Sequence, residues 1–118
     1  MIIFLNFFEF NYQGKLMFKM IAIYKIPADI NAFNDWYKGH TEIAKKVPLV
    51  KEFRFSKVTG GPRGASDLHF IAELCFATKE DFKTAMGSPE NMAAGKDAFI
   101  NYKDIISVHF AEEEMLKA

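Results

Sequence analysis

Between residues 29 and 47 a single stripe of side chains limits what this chain can become. At 100° per residue, Phe33, Trp36, Tyr37, His40, Ala44 and Val47 fall on one side of a helix, with Ile30 and Ile43 at its edges. The opposite side, with Asn34, Asp35, Lys38, Thr41, Glu42, Lys45 and Lys46, is polar throughout. Asp29 stands where it can cap the start and Pro48 where it can stop the end, so the helix would span roughly 28 Å at 1.5 Å per residue. A helix of this kind draws its stability from packing its apolar face, so the rest of the chain has to supply a surface. His40 lies near the middle of the stripe, where leucine would pack better. A group that can titrate and hydrogen-bond in that position needs a structural partner or a chemical task.

The surface is predicted to be a sheet. β-branched and aromatic residues from Phe18 to Ile26 read as a first strand that Pro27 ends, and a second strand runs from about Val50 to Val58. Gly60-Gly61-Pro62-Arg63-Gly64 then turns the chain into a third strand at about Asp67 to Phe76. There Leu68, Phe70, Ala72, Leu74 and Phe76 alternate with His69, Ile71, Glu73 and Cys75. Thr78 with Asp81 has capping-box spacing for a short helix closed by Gly87, and Ser88-Pro89-Glu90 restarts the helix through Met92, Lys96 and Phe99. A last strand, about Lys103 to Ala111, places Ile106, Val108 and Phe110 on one face and Ile105, Ser107 and His109 on the other. Glu112, Glu113 and Glu114 read as the start of a solvated tail.

Strand, helix, strand, strand, helix, strand is the α+β, ferredoxin-like βαββαβ order, a four-stranded antiparallel sheet with helices on one face. The other face, with His69, Ile71, Glu73, Ile105 and His109, is too apolar to be simply wet and too polar for a sealed core. Pairing two such faces predicts a homodimer that closes into an α/β barrel. The domain is expected over residues 17–112, with 1–16 as an appended extension, either an extra edge strand or an over-long start, and 113–118 as the tail.

Fifteen basic and fifteen acidic side chains cancel, which removes the field that nucleic-acid and anionic-membrane binders use. Residues 1–16 begin apolar but carry Glu9 and lack a cationic start and a small-residue cleavage site, and they are too few to span a bilayer, so neither a signal peptide nor a membrane partner is expected. Cys75 is the only cysteine, which excludes an internal disulfide and makes a cytoplasmic location the simplest expectation. Thirteen phenylalanines suit both tight packing and an apolar pocket.

Phe33-x-x-Trp36-Tyr37-x-x-His40, Pro48 beyond it, the Glu-Leu-x-Phe end of the third strand, Ser88-Pro89-Glu90 and Asp97 together resemble the EthD-like family of dimeric α/β-barrel proteins. The likeness covers about Met17 to Glu112. It implies a ferredoxin-like protomer, a homodimer and a cavity between sheet and helices. It points to Tyr37 and His40, and to Asp97 on the second helix, as site residues. The family pattern often continues from the histidine into methionine and proline, whereas Thr41-Glu42-Ile43 follows here. The family takes its name from ether degradation, which does not define a reaction.

On this reading His40 is an acid–base group, Tyr37 donates its hydroxyl to the same ligand and Asp97 orients the imidazole. The alternative for His40 is a histidine satisfied by a buried carbonyl or carboxylate that ties helix to sheet. Phe33 and Trp36 read chiefly as core that can also wall the pocket, and His69, Glu73 and His109 as polar points on the cavity or dimer face. No metal is expected, because His69 and Glu73 lie about 13 Å apart at 3.3 Å per strand residue. No cofactor is expected either. The glycine loop lacks phosphate-binding spacing and Pro62 removes an amide, which leaves it a hairpin connection or a lid. The ligand expected is small, apolar or aromatic, and oxygen-containing. The activity expected is cofactor-independent oxidation or proton transfer, with a non-catalytic binding or accessory role in a degradation pathway as the alternative.

Overall fold

The computed structural model describes residues 17–116, so the expectations for residues 1–16 lie outside the described residues. Among the described residues four strands, β1 (Met17–Lys25), β2 (Glu52–Lys57), β3 (Leu68–Phe76) and β4 (Ile106–Glu113), form one antiparallel sheet in the order β2-β3-β1-β4. Three helices, α1 (Ile30–Ala44), α2 (Lys79–Met86) and α3 (Pro89–Tyr102), cover one face. The two longest strands, β1 and β3, lie side by side, and their buried residues Ala22, Tyr24, Ala72, Leu74 and Phe76 carry the core.

Local chemistry sets the helix limits. The Asp29 carboxylate accepts from the Ala32 amide, the Thr78 hydroxyl from Asp81 and the Ser88 hydroxyl from Asn91, with Pro89 in the first turn of α3. Each cap satisfies an amide that has no intrahelical partner, typically worth about 1 kcal/mol. α1 ends at Ala44, short of Val47, because Lys46 and Val47 donate to the Ile43 and Ala44 carbonyls in a tighter turn.

The core has two centres. Tyr24 and Phe33, each 1% exposed, meet edge to face at 5.1 Å between ring centres, with Phe70, Tyr102 and Ile105 around them. Val47, Leu74, Phe76 and Ala85 form the second centre under α2.

Three placements differ from the alternation read in the sequence. Ile105 precedes β4 and packs on the Tyr24–Phe33 centre, so it does not belong to the uncovered face. β4 does not stop at Ala111: Glu112 and Glu113 pair with Phe18 and Met17, and Glu113 is held there by Arg54 and Lys19. The register of β1 against β3 shifts between Tyr24 and Lys25, which pair with Phe70 and Leu68 and leave His69 with no partner in β1. That extra residue turns His69 to the helix side, where its ring meets Phe33 edge-on at 5.2 Å.

Candidate functional site

A cavity of about 220 Å³ lies between the sheet and the helices. It exists because small residues face each other: Ala22 and Ala72 on the strands, and Ala94, Gly95 and Ala98 on α3, leave space that larger side chains would close. Phe55 and Phe99, about half exposed, and Phe110, about two-thirds exposed, also line it.

Polar side chains reach it from Tyr24, Tyr37, His40 and Asn91, and none of the residues lining it is a lysine, arginine, aspartate or glutamate. His40 comes from the third turn of α1 and is buried. Its Nδ1 lies 2.8 Å from Asp97 Oδ2 on α3. A carboxylate can only accept, so Nδ1 carries a proton, and in the neutral ring Nε2 is left with a free lone pair. Asn101 holds the carboxylate in turn, its amide donating to the Asp97 carbonyl at 2.8 Å and to Oδ1 at 3.4 Å. Trp36 stacks on the imidazole with ring centres 4.7 Å apart and planes 23° from parallel, which helps to fix the ring.

Tyr24 and Tyr37 stand edge to face, 6.0 Å between ring centres. Burial pushes both hydroxyls well above the usual tyrosine range. At Tyr24 the neighbouring Tyr37 and Asp97 add to that, because each disfavours a second negative charge nearby. Neither hydroxyl has a hydrogen-bond partner among the described residues, although Tyr24 is 99% buried. Both therefore hold their protons and point donors into the chamber.

The remaining residues singled out in the sequence sit elsewhere. Phe33 and Trp36 belong to the core packing beside the site and do not line the chamber. His69 is buried against Phe33. Glu73 lies on the uncovered face 3.3 Å from Lys19, and His109 is exposed there beside the Ser107 hydroxyl. Among the described residues no group of three His, Cys, Asp or Glu side chains is placed to share a metal ion. The Gly60–Gly64 loop closes on itself through paired Gly61 and Gly64 amide–carbonyl bonds and does not line the cavity. Tyr24, Asn91 and Asn101 were not singled out by sequence. A tyrosine in a strand and two asparagines in a helix give no signal until the fold brings them to the site.

The sequence model of the EthD domain matches residues 27–104, a span that contains α1, α3 and the His40–Asp97 pair. The chain belongs to the EthD family. An uncharacterized 11.0 kDa protein from the thcB-thcC intergenic region of Rhodococcus erythropolis is 27% identical over 99 residues, 83% of this chain and 96% of that protein. The crystal structure of an EthD family protein from Bacillus halodurans superposes with a TM-score of 0.78 at 29% identity, covering 84% of this chain and 99% of that one. A dimeric protein of unknown function from Bacteroides fragilis shares the ferredoxin-like fold, with a TM-score of 0.58 at 18% identity over 88% of this chain and 99% of that one. Within the described residues of this EthD protein no helix is long and apolar enough to cross a membrane.

Proposed function

We propose that this EthD protein binds a small, apolar, oxygen-containing molecule in the chamber and transfers a proton to or from it without a cofactor. The observation that carries this reading is the His40–Asp97 pair. A buried imidazole is tied through Nδ1 and leaves Nε2 free beside an apolar cavity. A base fixed in this way needs no reorganisation before it accepts a proton, and the positive charge it gains is balanced by Asp97. Tyr37 supplies a hydroxyl to the ligand oxygen. Trp36 and Phe33 support the site from behind as packing.

The functional unit is proposed to be a homodimer formed through the uncovered sheet face. Half-buried Ile21, Ile23 and Ile71 cluster there, and no helix among the described residues covers that face. The dimeric state of the ferredoxin-like relative supports the same assembly. A single buried thiol, Cys75, which burial pushes above its ordinary range, suits a cytoplasmic protein.

Thermal stabilisation by a panel of phenolic and quinone-like compounds, followed by calorimetry and product analysis, tests the reading. At least one compound should stabilise the wild-type dimer and lose most of its affinity or turnover in His40→Ala. Unchanged affinity and turnover in a folded, dimeric His40→Ala would sink it.

A further inference from the structure

Tyr24 carries a polar group that the packing around it does not require. Its ring is core, 1% exposed and in edge-to-face contact with Phe33, Trp36 and Tyr37. Phenylalanine would pack as well there, yet a hydroxyl is present, without a partner among the described residues and on a residue that lines the chamber. A buried hydroxyl without an acceptor costs free energy, and a ligand oxygen would repay it. Tyr37 brings a second donor to the same wall.

The charge of the walls restricts the ligand further. No cationic side chain lines the chamber, so a carboxylate or phosphate would be stripped of water without a counter-charge. A molecule that enters neutral avoids that penalty. The two tyrosine hydroxyls keep their protons and are available as donors to a ligand oxygen. They are best used where negative charge develops on an acceptor oxygen during reaction. A lone-pair base at His40 Nε2 is the complementary half, since it produces that charge by removing a proton.

From this arrangement, and resting on the proton-transfer reading above, we infer that Tyr24 is a ligand-binding and catalytic donor, and that the cavity takes neutral carbonyl compounds with an acidic C–H beside the carbonyl. The α-C–H bond breaks and its proton goes to Nε2. The freed electron pair forms the C=C bond of an enolate, and the carbonyl π pair moves onto oxygen, where Tyr24 and Tyr37 donate to it. Return of the proton to carbon restores the imidazole, so atoms and electrons balance without an oxidant.

The probe is 2-tetralone in D2O, with loss of its α-proton signal followed by NMR, alongside calorimetric binding of 2-naphthol and 2-naphthoate. Wild-type protein should speed exchange at least tenfold over buffer, and should bind neutral 2-naphthol, a mimic of the enol, at least tenfold more tightly than the carboxylate. Tyr24→Phe, which keeps the ring and its packing, should lose tenfold or more in both exchange rate and naphthol affinity while its melting temperature holds. If Tyr24→Phe exchanges and binds like wild type while His40→Gln is inactive, the role of Tyr24 is refuted and the base reading survives. If wild type binds 2-naphthol in a His40-dependent way but does not speed exchange, the carbonyl class is refuted and the cavity reading survives. Equal or tighter binding of 2-naphthoate overturns the neutral-ligand inference and needs no variant.

Discussion

The two faces of the sheet are built from alternate residues of the same four strands, and they treat polar groups in opposite ways. On the uncovered face the charges are spent on one another. Lys19 sits 3.3 Å from Glu73 and 3.4 Å from Glu113, Arg54 grips Glu113 with two 3.0 Å contacts, and its other nitrogens reach Glu52. On the covered face nothing that lines the cavity is charged, yet the Tyr24 and Tyr37 hydroxyls and His40 Nε2 are left without partners among the described residues. Paired groups hold a structure together, whereas unpaired ones in a buried chamber wait for something from outside. On the proposed reading, one face serves structure and the other chemistry.

The largest effect that could break this division is expected from Asp97→Asn. The amide can donate to Nδ1, which would force the ring proton onto Nε2 and remove the lone pair. Proton-transfer rates should fall by about 10²- to 10⁴-fold, with ligand affinity changed less than about tenfold. Exchange kinetics and calorimetry on the same sample separate the two effects, and an unchanged rate would mean that Asp97 only ties α1 to α3.

Lys19→Met probes the opposite face. Removing the cation leaves Glu73 and Glu113 facing each other, at a cost of about 2 kcal/mol after allowance for their partial exposure. Urea unfolding should record that loss while the proton-transfer rate stays within about twofold. A large loss of rate with little loss of stability would reverse the roles of the two faces.

A smaller effect follows from the raised tyrosine hydroxyls. Unfolded tyrosines ionise near pH 10, while Tyr24 and Tyr37 keep their protons well beyond it in the folded state. Above about pH 10 the unfolded chain therefore binds fewer protons than the folded one, and stability falls as pH rises, by about 1.4 kcal/mol per pH unit for each tyrosine. Below that range the two groups contribute no pH dependence. The Tyr24→Phe, Tyr37→Phe double variant should show a shallower decline when unfolding is measured from pH 9 to 11.

Much of the fold was legible because each local signal agreed with the others. Asp29, Thr78 and Ser88 act as caps, and the period of α1 places Phe33 and His40 inward. Registers were less legible, because they depend on pairs distant in sequence. Nothing local marks His69 as the residue at which β3 slips against β1. Glu113 looks solvated until Arg54 and Lys19 are brought beside it across the sheet. Tyr24 was hidden for a similar reason. In a strand with Met20 and Ala22 it reads as one more inward residue, and its hydroxyl becomes notable only where Ala94 and Ala98 on α3 leave space across from it.

What separates the two faces comes down to one proton. Nitrogen-15 chemical shifts of His40 in the ligand-free protein at neutral pH report directly which ring nitrogen carries it. The account predicts a protonated Nδ1, bonded to Asp97, and a bare Nε2. A neutral ring with its proton on Nε2 would contradict it, because the cavity would then hold a third donor and no base.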